Sequence, residues 1–512
     1  MRMKKRLEPQ AIWEEYARGR AYNARHGLYE TVKQNENFYI GRQWEGVDAP
    51  DLDKPVINIL KRVVAYFIAT IVSDDVAVQV SFPGGADQGL GEALSSEVAR
   101  VMEQAKLKTQ NRDVIRNAAV DGDGAMYLRF EVEADPLNGG AIVGEVVDNT
   151  CVIFGNPQVA QVQRQPYILL ALRRTVESVR SEMVQNGFAQ AAENLKPDGE
   201  GESAEDGRVT VLVRLWKEDG RVHAIKTTRE CVVKPEVDLG LTLYPLAWMN
   251  WDRVRNSYHG QAAITGLVPN QIFINKLFAM GMEHVKKMAF PKVVFNEALL
   301  PEGWSNRAGE AIAVQGDPQV AVASPLPAVD MSNQVMMLIE KTIAYTRETM
   351  GATDAALGNV RPDNTSAIIA VQKSSAMPLE LQRMSFYQFM EDVVRIILDL
   401  ARVHYGVRLL PLEQGGALRF DFASLDKLRY ALAVDIGPST YWSELMQVET
   451  LDNLFEKGVI QDAETYLENV PDAYIRNRRK ILDKLRARSA MTSMGGMGNE
   501  AVPQVPYGAE DR

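Results

Sequence analysis

The chain is 512 residues long, room for roughly three domains at about 150 residues each. Apolar residues make up 46% and charged residues 24%, which excludes a disordered, collagen-like or coiled-coil chain. Its 57 basic against 67 acidic residues give a net charge of −10, which argues against a protein that wraps nucleic acid over its whole surface and leaves local contact with DNA open. Two cysteines, Cys151 and Cys231, are too few for a disulfide framework or a four-cysteine zinc site and fit a reducing compartment. The basic start through Arg6 runs into Glu8, Pro9, Glu14 and Glu15 instead of an apolar stretch, so no export signal is expected. The longest apolar run, 63–72, is too short to span a bilayer. The expectation is a soluble protein made in the cytoplasm.

In chain order, helical spacing covers 8–40 (Ile12, Tyr16, Tyr29, Val32) and 56–72. Alternation then predicts a strand over 76–82, ended by Pro83-Gly84-Gly85. A helix at about 90–120 precedes a strand at 126–132, and further strands fit 142–147, 151–154, 167–173, 209–215 and 222–233. The acidic, Gly-rich stretch 193–206 reads as a surface loop or disordered insertion. From about 260 the pattern changes to long helices. In 262–287 the apolar residues Leu267, Ile272, Ile274, Leu277, Phe278, Met282 and Val285 fall on several faces. Such a helix is buried all round, by its own chain or by neighbouring copies. Short strands at 292–295, 311–314 and 319–322 separate it from a helix at 331–350. A loop at 351–364 leads into a helical pattern over 365–405 that Pro378 should kink. A hairpin-like pair, 417–422 and 430–436, precedes three short helices: 443–457, capped by Ser443 and stopped by Gly458, then 461–469 and 473–488. The last sets Arg476, Arg478, Arg479, Lys480, Lys484, Arg486 and Arg488 against Asp483, a solvated face or a contact with phosphates or an acidic subunit surface. The Gly-, Met- and Pro-rich end, 489–512, is expected to be disordered. No internal repeat is visible.

Reactive motifs are absent. There is no G-K-[ST] to cradle phosphates, no H-E-x-x-H, no G-x-S-x-G and no C-x-x-C. The five histidines, His26, His223, His259, His284 and His404, are scattered without ligand spacing and read as packing or surface residues. Asp121-Gly122-Asp123-Gly124 resembles the start of a calcium loop, but Ala125, Met126 and Val132 stand where a ligand, Gly and Glu are needed. It reads as a tight turn between helix and strand. Catalytic residues, cofactors and metal ligands are therefore assigned to none, and the protein is read as a non-enzyme.

Four segments in order carry a resemblance. Asn37-Phe38-Tyr39-Ile40-Gly41-Arg42-Gln43-Trp44 is followed by Pro55-Val56-Ile57-Asn58. Tyr258-His259-Gly260-Gln261 leads through Leu267 to Asn270-Gln271 and Asn275-Lys276. Gly351-Ala352-Thr353-Asp354-Ala355-Ala356-Leu357-Gly358 precedes Asn364-Thr365-Ser366-Ala367-Ile368, where many relatives carry Ser-Gly instead of Ser366-Ala367. Leu454-Phe455-Glu456-Lys457-Gly458-Val459-Ile460 closes the series. Over about residues 30–490 the chain resembles the bacteriophage portal proteins, the head–tail connectors of tailed phages.

The resemblance implies an α+β portal fold: an α/β wing, a two-helix stem, a small β clip, a long kinked helix and a helical crown, assembled into a ring, commonly a dodecamer. The wing would be 1–260, the first stem helix 261–288, the clip 289–328 and the second stem helix 329–350. The tunnel loop would be 351–364, the long kinked helix and β-hairpin 365–439, the crown 440–490 and a disordered tail 491–512. Double-stranded DNA would pass through the ring without sequence-specific contact. On this reading Asn359, Val360, Arg361 and Asn364 face the DNA, with Arg361 the single positive contact per subunit. Lys292, Trp304 and Arg307 lie at the clip surface that docks the terminase large subunit and later the head-completion or tail adaptors. Major capsid and scaffold proteins are the other implied partners, no membrane is involved, and the place of action is one capsid vertex of the virion. The rival classes are a packaging enzyme (a terminase-like ATPase or nuclease), against which the missing phosphate loop counts, and a capsid shell or scaffold protein.

Overall fold

The computed structural model describes residues 8–50, 52–72, 76–82, 88–198, 207–289, 293–300, 314–317, 323–325, 333–349, 351–352, 377–412, 416–428, 430–436, 441–460 and 462–470, with isolated positions from 475 to 486. It is mixed helix and sheet, an α+β chain. Two compact units divide it, Met1–Ile436 and Gly437–Arg512.

The helical spacing over 8–40 resolves into α1 (Pro9–Arg25) and α2 (Leu28–Ile40), because Gly27 between them is left-handed at φ 68°. The periodicity hides this break, since both helices bury residues: Ile12 in α1, Phe38 in α2. Asn58 caps α3 (Ile59–Ile71), its side chain accepting from the Lys61 amide at 3.0 Å. The expected helix at 90–120 is likewise two, α4 (Gln88–Gln104) and α5 (Leu107–Asp121), parted at Lys106 with φ 53°.

Two antiparallel sheets follow. The first has order β3-β2-β9, from β2 (Asp123–Glu131), β3 (Ala141–Val146) and β9 (Leu246–Asn250). The second runs β4-β5-β6-β7-β8, from β4 (Val152–Phe154), β5 (Tyr167–Thr175), β6 (Arg208–Glu218), β7 (Arg221–Thr227) and β8 (Val232–Asp238). The single strand expected over 222–233 is thus a hairpin, closed where the Thr228 amide donates to the Cys231 carbonyl at 2.8 Å. Helix α1 lies on this sheet: Ile12 packs among Ile153, Leu169 and Leu212, and Arg214 Nε sits 2.7 Å from Glu15 Oε2. Helices α6 (Val176–Gln185) and α7 (Ala189–Glu193), not foreseen from the sequence, close a satellite core with Val209 and Val233. The stretch 193–206 is described only to 198, where the Asp198 carboxylate accepts from the Thr210 amide.

One sequence expectation fails outright. The segments 417–422 and 430–436 do not pair with each other. β13 (Ala417–Asp421) pairs back with β12 (Val407–Pro411), while β14 (Ala431–Ile436) pairs with β1 (Val76–Ser81), Val76 opposite Ile436. The cause is local: the Asp421 side chain caps the 3-10 turn Phe422–Lys427, which carries the chain away from β13.

Helix α8 (Val268–Ala289) follows a 3-10 turn at Thr265–Leu267, and α9 (Asn333–Glu348) ends on Gly351 with φ 72°. Between them the described residues include the short pair β10 (Val293–Phe295) and β11 (Ala323–Pro325). The strands expected at 311–314 and 319–322 lie outside the described residues except for Val314, which is not in a strand. Pro378 sits in a 3-10 turn, Met377–Leu379, from which α10 (Glu380–His404) starts; residues 353–364 of the expected loop and 365–376 of the expected long helix lie outside the described residues. Helix α10 is the centre of the main core: Phe386, Phe389, Val393, Val394, Ile397 and Ala401 are all buried. Its one buried carboxylate, Asp399, accepts from the amides of Thr242 (2.8 Å) and Leu243 (2.9 Å) and fastens the loop that enters β9.

In the second unit, α11 (Tyr441–Glu456) starts two residues before the expected Ser443 cap and stops before Gly458, whose φ is 67°. Helix α12 (Ala463–Asn469) is capped by Asp462, which accepts from the Glu464 and Thr465 amides. Half of the expected basic helix 473–488, and all of 491–512, lie outside the described residues; 478, 480–482 and 484–486 are helical.

Candidate functional site

The seven residues assigned to channel and partner contact, Asn359, Val360, Arg361, Asn364, Lys292, Trp304 and Arg307, all lie outside the described residues. Three of the four segments that carry the resemblance are described well enough to locate, and two of them meet at one place: the seat of α8.

The seat has two polar nests. In the first, the Gly41-Arg42-Gln43-Trp44 and Pro55–Asn58 segments converge on α8. Asn275 Nδ2 donates to Gln43 Oε1 at 2.6 Å, and Gln271 Nε2 donates to Asn275 Oδ1 at 3.0 Å and to the Ile57 carbonyl at 2.7 Å. The Ile59 amide returns a bond to Gln271 Oε1 at 3.1 Å, and Gln43 Nε2 donates to the Phe38 carbonyl at 2.9 Å. Asn58 Nδ2 donates to the Tyr39 carbonyl, and Trp44 Nε1 to that of Pro55, each at 2.8 Å. Gln271 and Asn275 are 1% and 3% exposed. Amides this deep persist only when their hydrogen bonds are met; apart from the Gln271–Asn275 bond within α8, each bond here spans segments more than 200 residues apart or fixes the loop that carries one.

The second nest lies just ahead of α8 in the chain. Asp123, buried at the start of β2, accepts four hydrogen bonds: from His259 Nδ1, Asn250 Nδ2 and the Gly260 amide at 2.7 Å each, and from Asn149 Nδ2 at 3.1 Å. The Asp121–Gly124 turn is therefore a backbone joint and holds no calcium-loop geometry of its own. Gly122 has φ +99°, and a Cβ there would stand 2.6 Å from the Gly260 carbonyl oxygen, so only glycine lets the two segments touch. Tyr258 next to it is buried, stacked on Phe154 at 4.6 Å, and its hydroxyl donates to the Val152 carbonyl at 3.1 Å and shares a bond with Asn23 of α1. Burial drives the Tyr258 phenol far above its ordinary pKa. Asn35 of α2 donates to the Val120 carbonyl and to Thr265 Oγ1, each at 2.8 Å, tying the turn before α8 to α5.

Some polar atoms of this region are left unmet: Asn35 Oδ1, Asn149 Oδ1 and His259 Nε2 are buried without a hydrogen-bond partner, and so is a carboxylate oxygen, Asp121 Oδ1. The nearest cation to Asp121, Arg116 Nη1, is 3.8 Å from its Oδ2. Burial is the main cause that pushes its pKa to about 7, with Arg116 pulling the other way.

Beyond the seat the character of α8 inverts. The stripe holding Gln271, Ile274, Asn275 and Phe278 continues at helical spacing as Met282 and Val285, yet Val285 is 59% exposed. On the other side Met280 is 66% exposed; within the seat itself Phe273 is also exposed, on the face away from the polar nest. Helix α9 packs on α8 and runs back toward the seat, where Asn270 Nδ2 donates to Thr346 Oγ1 at 3.3 Å. It too exposes Met336, Met337, Leu338 and Tyr345. The apolar residues of the two helices thus exceed what the described residues cover. Lys286 Nζ, 2.5 Å from Asp53 Oδ2, is a tie from the far half of α8 back to the N-terminal loop.

Metal-type donors gather at one place among the described residues, Glu218, His223 and Glu236 on β6, β7 and β8. No described helix is long and apolar enough to cross a membrane. Neither the family models nor the curated proteins contain a match to this chain.

Proposed function

We propose that the chain is the subunit of a phage portal, a ring, commonly of twelve copies, at one capsid vertex, through which double-stranded DNA is packaged and later ejected. The observation that carries the reading is the inversion along α8: polar and buried at its seat, apolar and exposed beyond it, with α9 beside it in the same state. A helix pair seated this firmly, with apolar side chains on more than one face, fits a position between like neighbours on both sides, as in a ring. The Met and Val side chains are 44–66% exposed, so covering each contributes roughly 1 kcal/mol, and the several on each subunit favour closure. The seat itself is made by the segments that carry the resemblance.

On this reading the net charge of −10 suits a channel that must let DNA slide, because dense Lys and Arg would hold phosphates through counterion release. The terminase large subunit would supply the motor at the 289–328 end, the tail adaptors would follow it there, and Arg361 would be the sparse positive contact. Capsid and scaffold proteins would surround the ring at the vertex.

Negative-stain images and native mass spectra of the purified full chain test this. Closed rings with a central hole and a single mass near twelve subunits are the expected result. Open fibres, shells, or a monomer that hydrolyses nucleotide would sink the reading, the last in favour of a packaging enzyme.

A further inference from the structure

We propose that Glu218, His223 and Glu236 form a binding site for a divalent transition metal of the zinc class. The three residues come from three hydrogen-bonded neighbours, β6, β7 and β8, at one end of the five-stranded sheet. The β6–β7 hairpin turns through Asp219 and Gly220, both left-handed at φ 50° and 80°, the geometry of a tight two-residue turn. That turn sets Glu218 opposite Arg221, and the ladder then sets His223 opposite Trp216 on one side and Asp238 on the other. One donor atom from each of Glu218, His223 and Glu236 lies within 4.8 Å of the others.

The histidine points to a ligand. Its Nδ1 is 3.3 Å from Glu236 Oε1, but the atom is buried and makes no hydrogen bond. Two donors that share a tetrahedral ion at bond lengths of roughly 2.0–2.1 Å stand roughly 3.3 Å apart. The observed separation therefore fits an ion between the two atoms as well as it fits a direct contact, and the unmet nitrogen favours the ion. The imidazole is fixed in plane, stacked on Trp216 at 5.6 Å with 25° between the rings. Arg221, opposite Glu218 in the ladder, is directed at Asp238, with Nη1 3.4 Å from Oδ2.

The donor set decides the class of ion. Calcium and magnesium take six or more oxygens, whereas one imidazole and two carboxylates suit zinc and leave a fourth position for water. Joining three neighbouring strands, the ion acts as a clasp across the end of β6, β7 and β8. This inference is independent of the portal reading.

The experiment is a titration of the untagged, EDTA-treated full chain with ZnCl2 by calorimetry, with Co2+ as the spectroscopic substitute. One ion per chain is expected, with Co2+ giving the ligand-field absorption of a tetrahedral N/O site that Zn2+ then abolishes. His223→Ala should weaken binding by at least about tenfold. Glu236→Gln, at a more exposed position, should do the same with an unchanged circular dichroism spectrum, so the proposal stays testable if the histidine variant misfolds. Absence of saturable Zn2+ uptake overturns it, as does uptake equal in wild type and Glu236→Gln, which would place the ion elsewhere, for example on Cys151 or Cys231. Equal affinity for Ca2+ would overturn the assignment to a transition metal.

Discussion

The seat of α8 and its far half are one continuous helix built by opposite rules. At the seat, Gln271 and Asn275 are buried and their amides are matched to Gln43, Ile57 and Ile59. About one and a half to three turns further on, Met280, Met282 and Val285 stand exposed. Buried amides are costly wherever a bond is missing, so the seat specifies one position and one register. Exposed apolar side chains carry no such directionality; they favour whatever covers them. The seat belongs to the folding of a single chain; on the portal reading proposed above, the far half would serve association.

Three variants probe that division. The largest effect is expected at Asp121, below the joint with Gly260. Carrying its pKa from 3.8 to about 7 disfavours the ionised form by roughly 4 kcal/mol. The folded pKa is raised, so the stability held by the protonated carboxyl is fully present below about pH 4 and is lost as pH rises through about 7. Asp121→Asn keeps the shape without the charge. Urea unfolding should show it more stable than wild type at pH 8, by as much as about 4 kcal/mol, with the gap closing toward pH 4. A gap independent of pH would remove Asp121 from the seat's electrostatics.

A smaller loss follows from Asn275→Ala, which strips Gln43 Oε1 of its donor and leaves a cavity. About 2–3 kcal/mol of unfolding free energy should disappear. A loss under 0.5 kcal/mol would show that the seat does not fasten the helix.

The smallest effect on the isolated chain belongs to the double variant Met280→Ser, Val285→Ser. At concentrations where wild type sediments as a monomer, stability should change by no more than about 0.5 kcal/mol. Assembly at high concentration should fail. A variant that unfolds more readily yet still assembles would reverse the contrast between the two halves of α8.

The sequence made the contrast half visible. Apolar residues on several faces of 262–287 announced a helix covered on more than one side, but not where its cover by the chain itself ends. The Gln43–Asn275 bond joins positions 232 residues apart, and nothing local in either segment points to the other. Asp121–Gly124 was legible as a turn; that Asp123 would gather His259 and Gly260 was not, because the pairing depends on β2 meeting β9. Leu246–Asn250 gave no strand signal since its residues are mostly buried on both faces, which erases alternation. Glu218, His223 and Glu236 have no motif spacing because strand register, and not sequence distance, brings them together. The breaks at Gly27 and Lys106 were hidden by apolar periodicity that persists across them.

The pairing of β1 with β14 has a consequence for how the first unit is made. Val76 cannot meet Ile436 until about 360 further residues have left the ribosome. At roughly 5–20 residues per second that delay is on the order of 20–70 s. Helix α10, whose Phe386, Phe389 and Val393 fill the main core, also arrives late. Throughout that interval α3, α5 and β2 lack the helix that completes their core, and β1 waits as an unpaired edge. Translation thus sets the order of events: the unit closes from its C-terminal end, and a chain interrupted before α10 keeps an open apolar face of its own, distinct from the one on α8.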